Sequence, residues 1–502
     1  MNTIAILADL HLPERTDTVK ETVFDWALQE AMRQGAELLA GAGDMTSLGT
    51  VGAARRLVDK MAATGLPFLN APGNAEWRCR HQTADVLALL NPNQRLANVV
   101  SLDIARQTIP PQTLEFLAQL RDEGHRNLLA VAHCPLASLS INDQLLLDAF
   151  IEQGVIGCFI AGHKHRDDDA HPYHTIRGLD PDKAIGGPPA LVIMTLDDQQ
   201  NWHRHDIPCP LASPPDWPDD IRHDFLHHLG ISGMNDTRAA LRDAARHRVP
   251  ALEIRYTPTL HDQLPELLPL VDDWRHHGGH SLSLHAPDIL PGPTPGSLLG
   301  REQLRDAADC AVALGCNAVT VHVPAKHPVS AVVGPYKERL LQDYHHGLQP
   351  LADAHIAIGI ENMHLTPSER IDANRGYGYT PDECRDWILA LRRELDYPHI
   401  GFHLDIGHAR NNARFASRYN LSEWYAELGP ILTGCHLHQV APSPNGTMRN
   451  HCPFNSLYGQ YISLSSFLMA WRDNQLRHVP LYLEIRDARP LDSLNTLREL
   501  LA

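Results

Sequence analysis

The sequence predicts an α/β protein of two parts, a layered α/β sandwich followed by a (β/α)8 barrel. Three observations predict it. Strand-length apolar runs alternate with helical periodicity through residues 1–205. A seam with five prolines then runs from Asp206 to Pro218. Beyond it, eight apolar segments recur with helical sequence between them. A chain of 502 residues also exceeds what one hydrophobic core comfortably serves.

The elements before the seam come in order. Thr3–Ala8 is a short apolar run that stops at Asp9-Leu10-His11. Val19, Val23, Ala27 and Ala31 recur at helical spacing, and Gly35 fits the end of that helix. Leu38–Ala42 stops at Gly43-Asp44, and Pro67–Ala71 stops at Pro72-Gly73-Asn74. Leu128–Ala132 stops at His133, and Cys158–Ala161 at Gly162-His163-Lys164-His165. Ala190–Leu196 reads as a later strand of the sheet. The seam cannot lie inside a helix or a central strand and reads as a stiff linker. The expected division is 1–205, a linker at 206–222, and a barrel at 223–502.

The barrel strands are expected at Leu229–Met234, Ala251–Tyr256, Ser281–Ala286, Ala318–Val323, Ala357–Asn362, Ile400–Asp405, Gly434–Gln439 and Leu481–Arg486. Thr380-Pro381-Asp382-Glu383 has the form of a capping box with proline at the first helical position. Ala311–Gly315 ends another helix just before a strand.

The net charge of −17 argues against a protein that coats nucleic acid by bulk electrostatics. The nine cysteines are scattered and odd in number, so a reducing compartment is expected and they read as small packing residues. No apolar stretch approaches membrane-spanning length, and the cytoplasm is the expected location. Among the 32 histidines, His203/His205, His227/His228, His276/His277 and His345/His346 fall where no strand is signalled.

The strand-end motifs before the seam offer Asp, His and Asn, which suit Mn, Fe, Zn or Mg. Two such ions can clamp the attacking and leaving oxygens of a phosphoryl displacement. These motifs resemble those of the calcineurin-like metallophosphoesterases over about residues 1–200. The resemblance implies a metallophosphoesterase sandwich in which Asp9, His11, Asp44 and His165 hold one divalent metal. It implies that Asp44, Asn74, His133 and His163 hold the other. Asp44, Asn74 and His133 are the expected catalytic residues, acting through metal-activated hydroxide. One departure stands out: the family's Gly-Asn-His-Asp/Glu reads Gly73-Asn74-Ala75-Glu76 here, so the usual acid histidine is missing. Glu76 and His81 are candidates to replace it.

A second set lies at the expected barrel strand ends: His285, His322, Glu361, Asp405, His408, His436, His451 and Glu484. The pattern resembles the xylose-isomerase-like superfamily, and within it endonuclease IV most closely, over about residues 225–490. The resemblance implies a TIM barrel holding two to three divalent metals (Zn, Mn or Fe). Glu361 would bridge two of them, with His285 and His322 on one. Asp405, His436 and Glu484 would hold the second, and His408 and His451 would begin a third site. The aspartate expected beside that third site is replaced at Arg449.

The reading that follows is a metal-dependent phosphoesterase of phosphodiesterase type, with Glu361 as the barrel's catalytic residue. The barrel would act as a nuclease on nucleotides or nucleic acid. The alternative is a phosphoesterase fused to a sugar isomerase or epimerase acting on a small phosphorylated metabolite, or one domain serving only to bind. No membrane partner is expected, and the sequence gives no oligomeric state.

Overall fold

The apolar runs of the first unit become strands because both of their faces are covered. The computed structural model describes residues 2–233, 236–366, 369, 374–486 and 488–502. Met234, the expected end of the first barrel strand, lies outside the described residues. The strands Thr3–Leu7, Leu38–Ala42 and Phe68–Ala71 lie parallel in one sheet. Ala190–Leu196 joins it antiparallel to Thr3–Leu7, and Trp202–Pro208 closes the five-stranded sheet. A six-stranded sheet is centred on Val99–Leu102, Leu128–Ala132 and Ile156–Ala161. Ile4, Ile6, Leu38, Ala40 and Leu69 meet Val99, Leu129, Val131 and Ile160 in one apolar layer between the sheets. The other face of the second sheet packs on Leu117, Leu120, Leu147 and Phe150 of two helices, Pro111–Asp122 and Ile141–Glu152.

The seam differs from expectation. Asp206, Ile207 and Pro208 pair with Val192, Leu191 and Ala190, so the expected linker begins inside an edge strand. Proline is tolerated there because its missing N–H falls at an edge. His203 and His205, set aside as lying where no strand is signalled, sit in that same strand. Short turns at Pro210–Ala212 and Pro214–Asp216 follow.

Helix Val19–Arg33 buries Val19, Val23, Phe24, Ala27 and Ala31, and it also buries Lys20. The Lys20 amine lies 2.7 Å from Asp180 Oδ1 and 3.2 Å from Asp182 Oδ2, with all three side chains sealed from water. Removing one side of a buried ion pair costs about 3–5 kcal/mol, because the partner charge stays buried. Lys20→Met is therefore expected to destabilise the unit by about that amount in urea unfolding.

The chain divides into two compact units, Met1–Asp216 with Tyr458–Met469, and Trp217–Leu457 with Ala470–Ala502. Within the first unit, Ser463 N donates to Asp182 O at 3.1 Å and Ser465 Oγ to Pro181 O at 3.3 Å.

The second unit is a closed, all-parallel, eight-stranded barrel. Its strands are Leu229–Gly233, Ala251–Arg255, Ser281–His285, Ala318–His322, Ala357–Glu361, Ile400–Asp405, Leu432–Leu437 and Leu481–Leu483. The seventh starts earlier than its apolar run suggests. Gln439, its expected end, instead opens a hairpin of Gln439–Pro442 and Met448–Cys452. The capping box at Thr380 is half formed: the Thr380 side chain accepts from Glu383 N. The Glu383 carboxylate turns to the N–H groups of Gly378 and Tyr379 instead, at 3.0 and 2.9 Å.

Candidate metal centres

Strand ends in the first unit bring the expected ligands together. His133 Nδ1 lies 3.2 Å from the Ala42 carbonyl, which places its proton there and leaves Nε2 as a lone-pair donor. That Nε2 is 3.0 Å from Asn74 Oδ1, 3.1 Å from His163 Nδ1 and 3.4 Å from Asp44 Oδ1. On the other side His11 Nε2 is 3.6 Å from Asp44 Oδ2, and the His11 and His165 rings stack at 5.3 Å. Asp9, His11 and His165 form a further group of converging ligand atoms. Asp9 Oδ1 and both ring nitrogens of His11 are buried with no hydrogen-bond partner. Buried polar atoms without partners are costly unless something binds them, so the donor set fits two divalent ions with Asp44 between them.

The backbone points the same way. Asp9, His11, Asp44, His163 and His165 all have left-handed φ, between 48° and 72°. For residues with a Cβ this costs about 1–2 kcal/mol each, and such strain clusters where function requires it. Gly43 is needed for a different reason: a Cβ there would lie 2.6 Å from the His133 side chain.

Burial pushes Asp9 well up, with Asp44 adding to the shift, and burial raises Asp44 as well. Burial pushes His133 and His163 down to about 4 and His11 well down. Neutral imidazoles beside carboxylates that need a cation are what a divalent ion selects.

The proposed stand-ins for the missing acid histidine do not serve. Ala75 donates its N–H to Asp44 Oδ1 at 2.6 Å and has no side-chain donor. Glu76 is buried and spends both oxygens on the N–H groups of Asp44, Gly73 and Thr46 and on the Thr46 hydroxyl, at 2.9–3.1 Å. His81 is exposed and contacts Cys79 and Gln82. Arg78, not singled out in the sequence, bears electrostatically on both Asp44 and His133. Cys134 groups with His133 and His163, but its thiol reaches the Ala105 carbonyl and burial pushes it up to about 11, so it stays a thiol.

All eight expected barrel residues meet at one mouth. Glu361 Oε2 lies 3.2 Å from His285 Nε2 and 3.2 Å from His322 Nε2. Its other oxygen lies 3.4 Å from His436 Nδ1. A carboxylate with imidazoles at both oxygens has the geometry of a bridge. His436 Nδ1 is also 3.2 Å from Glu484 Oε2 and 3.9 Å from Asp405 Oδ2, and His451 Nε2 is 3.1 Å from Glu484 Oε2. His408 anchors Nδ1 on the Asn362 carbonyl at 3.1 Å. The remaining ring nitrogens of the first pair are held too, His285 Nδ1 by the Ala286 carbonyl at 2.8 Å and His322 Nδ1 by Asp288 at 3.2 Å. Ligating histidines are oriented in this way by partners on the far nitrogen.

Two supporting residues escaped the sequence reading. Glu253, fully buried in the second strand, takes His436 Nε2 at 2.6 Å and Thr320 Oγ1 at 2.7 Å, which fixes the Nδ1 of His436 toward the mouth. His438 Nδ1 lies 2.9 Å from the His451 N and 3.1 Å from the Gln439 carbonyl, and its Nε2 lies 2.9 Å from Asp405 Oδ1. His438 thus positions Asp405, and with Asp405, His451 and Glu484 it also belongs to a group of converging ligand atoms. Gly407 makes room for it, since a Cβ there would lie 1.8 Å from the His438 ring. Glu253→Gln is expected to weaken metal binding at the barrel about 10–100-fold, measured by competition with a chelator.

Burial pushes His322 down, but Glu361 and Asp288 overcome it and lift it to about 9. A raised folded pKa stabilises the fold fully below the ordinary value near 6.5, and that stability is lost as pH rises through about 9. The metal-free protein is therefore expected to lose melting temperature between pH 6.5 and 9, whereas the metal-loaded protein, in which ions displace these protons, loses less. Calorimetry of both forms across that range checks it.

The mouth opens into a cavity of about 490 Å³ lined by His285, His322, Glu361, His364, His408 and His451, with Arg255, Lys326, Arg449 and Arg486 around it. Among the described residues, no helix is long and apolar enough to cross a membrane.

Residues 241–501 match the family model described as a xylose isomerase-like TIM barrel. No curated protein matches the chain. Among solved structures, a D-tagatose 3-epimerase-like protein is 22% identical, with 55% of this chain and 97% of that one aligned at a TM-score of 0.37. A 3-keto-D-glucoside 4-epimerase from E. coli is 13% identical, with 54% and 99% aligned at 0.39. A dimetal phosphatase from Danio rerio is 14% identical, with 40% and 98% aligned at 0.28. The family match spans just over half of the chain, including seven of the eight barrel strands and every ligand at the mouth, and it makes this protein a member of the xylose isomerase-like TIM barrel family.

Proposed function

We propose that the barrel is a metal-dependent isomerase or epimerase of a small phosphorylated sugar, joined to a phosphoesterase in the first unit. The observation that carries the barrel reading is the Glu361–His436–Glu484 cluster at the mouth of a xylose isomerase-like barrel. The family match supports this alternative better than the nuclease reading of the sequence. Divalent ions held by Glu361, Asp405, His436 and Glu484 would polarise a carbonyl and its neighbouring hydroxyl. Glu253 and His438 keep His436 and Asp405 in place for that task. Arg255, Lys326, Arg449 and Arg486 suit a phosphate group on the substrate, in a chain whose net charge is −17. The cavity volume of about 490 Å³ is of the size that holds a small metabolite.

For the first unit, the strained ligand set Asp9, His11, Asp44, Asn74, His133, His163 and His165 supports phosphoester hydrolysis at a dinuclear centre. Ala75 offers no proton for the leaving group, so the reading favours diesters or other good leaving groups. Arg78 would offset negative charge there. A second reading, phosphoester cleavage at the barrel, draws on His364, His408 and His451, three further imidazoles lining the same cavity.

The deciding experiment incubates the Mn-loaded protein in D2O with pentulose and hexulose phosphates. Deuterium entering at the carbon next to the carbonyl, seen by NMR and absent with Glu361→Gln, supports the reading. Nicking of abasic-site DNA without any exchange would replace it with the nuclease reading.

A further inference from the structure

We infer that His364 is a transition-metal ligand at the barrel mouth, standing in for the aspartate missing at Arg449 beside His408 and His451. The inference rests on reading the mouth as a metal centre, and it adds a ligand that the strand-end pattern does not contain. His364 lies beyond the fifth strand, in the segment after Glu361-Asn362. Backbone bonds hold that segment on both sides of it: Met363 N donates to Gly378 O at 3.0 Å, and Leu365 N to Asn412 Oδ1 at 2.8 Å. His364 thus lines the cavity from a fixed backbone, together with His408 and His451. Its Nδ1 is buried with no hydrogen-bond partner, the cost an ion would remove.

The ring spacing fits an ion. Imidazole nitrogens bind Zn at about 2.0–2.1 Å, so the ring centres of two tetrahedral ligands fall about 5 Å apart. The His364 and His408 rings are 4.7 Å apart, and the His408 and His451 rings 5.8 Å. With Nδ1 of His408 committed to the Asn362 carbonyl, its Nε2 is the ligand atom. Glu484 Oε2, 3.1 Å from His451 Nε2 and 3.2 Å from His436 Nδ1, can complete the third site while linking it to the second. The set of three imidazoles and one carboxylate suits Zn, Fe or Co rather than Mg.

The test counts metals on the full chain, with Co(II) absorption as a second readout. Relative to wild type, His364→Ala should lose one metal per chain and part of the cobalt d–d absorption. His364→Asp should recover the metal, since a carboxylate can take the place of the ring. Glu361→Gln serves as the reference that disrupts the other two barrel sites. If His364→Ala keeps every metal while Glu361→Gln loses them, the third site is overturned and the dinuclear reading stands. If Glu361→Gln loses none either, the metal reading of the whole mouth falls with it. Circular dichroism of each variant confirms that any loss is not unfolding.

Discussion

Glu361→Gln is expected to abolish the barrel's activity, with a fall on the order of 10^3-fold or more in kcat/KM, about 4 kcal/mol of transition-state stabilisation. The reason is geometric. One oxygen of Glu361 faces His285 and His322, and the other faces His436. An amide keeps the shape but removes the negative charge shared by both sides. Burial alone would lift Glu361, yet His322 and His436 hold it well below the usual carboxylate range. The fall is measured as loss of deuterium exchange on the phosphorylated ketose, with metal content recorded on the same sample.

Asp44→Asn is expected to cost the first unit a comparable amount, again on the order of 10^3-fold, on bis-p-nitrophenyl phosphate with Mn. Asp44 Oδ1 lies 3.4 Å from His133 Nε2 and its Oδ2 lies 3.6 Å from His11 Nε2, so a single carboxylate faces both groups of candidate ligands. His133→Ala should be severe as well, because His133 Nε2 is the point where Asn74 and His163 converge. Full activity in Asp44→Asn would end the dinuclear reading.

Much of this was legible in the sequence because the ligands sit where apolar runs stop. A parallel strand covered on both faces is a near-continuous apolar run, and its end marks the place where a side chain turns into the site. Asp9, Asp44, His133, His285 and Glu361 could be read that way. Glu253 could not: it lies inside an apolar run, and its partner His436 is 183 residues away, so only closure of the barrel makes the pair. His438 lies in the expected strand Gly434–Gln439, but its contact with Asp405, 33 residues away, appears only once the barrel closes. His364 sits beyond a strand end with no periodic signal around it. The strand Trp202–Pro208 was hidden by its alternating histidines and terminal proline. Ala75, by contrast, carried its meaning at the level of sequence, since in no fold does an alanine side chain donate a proton.

The proposed metal centres, one in each unit, are tested most directly by elemental analysis of the purified full chain. Wild type should carry metals at both, Asp44→Asn should lose about two ions and keep the barrel's, and Glu361→Gln should lose the two ions that Glu361 would bridge and keep those of the first unit. Equal metal content in all three proteins, or one substitution emptying both units, would contradict the two-centre reading.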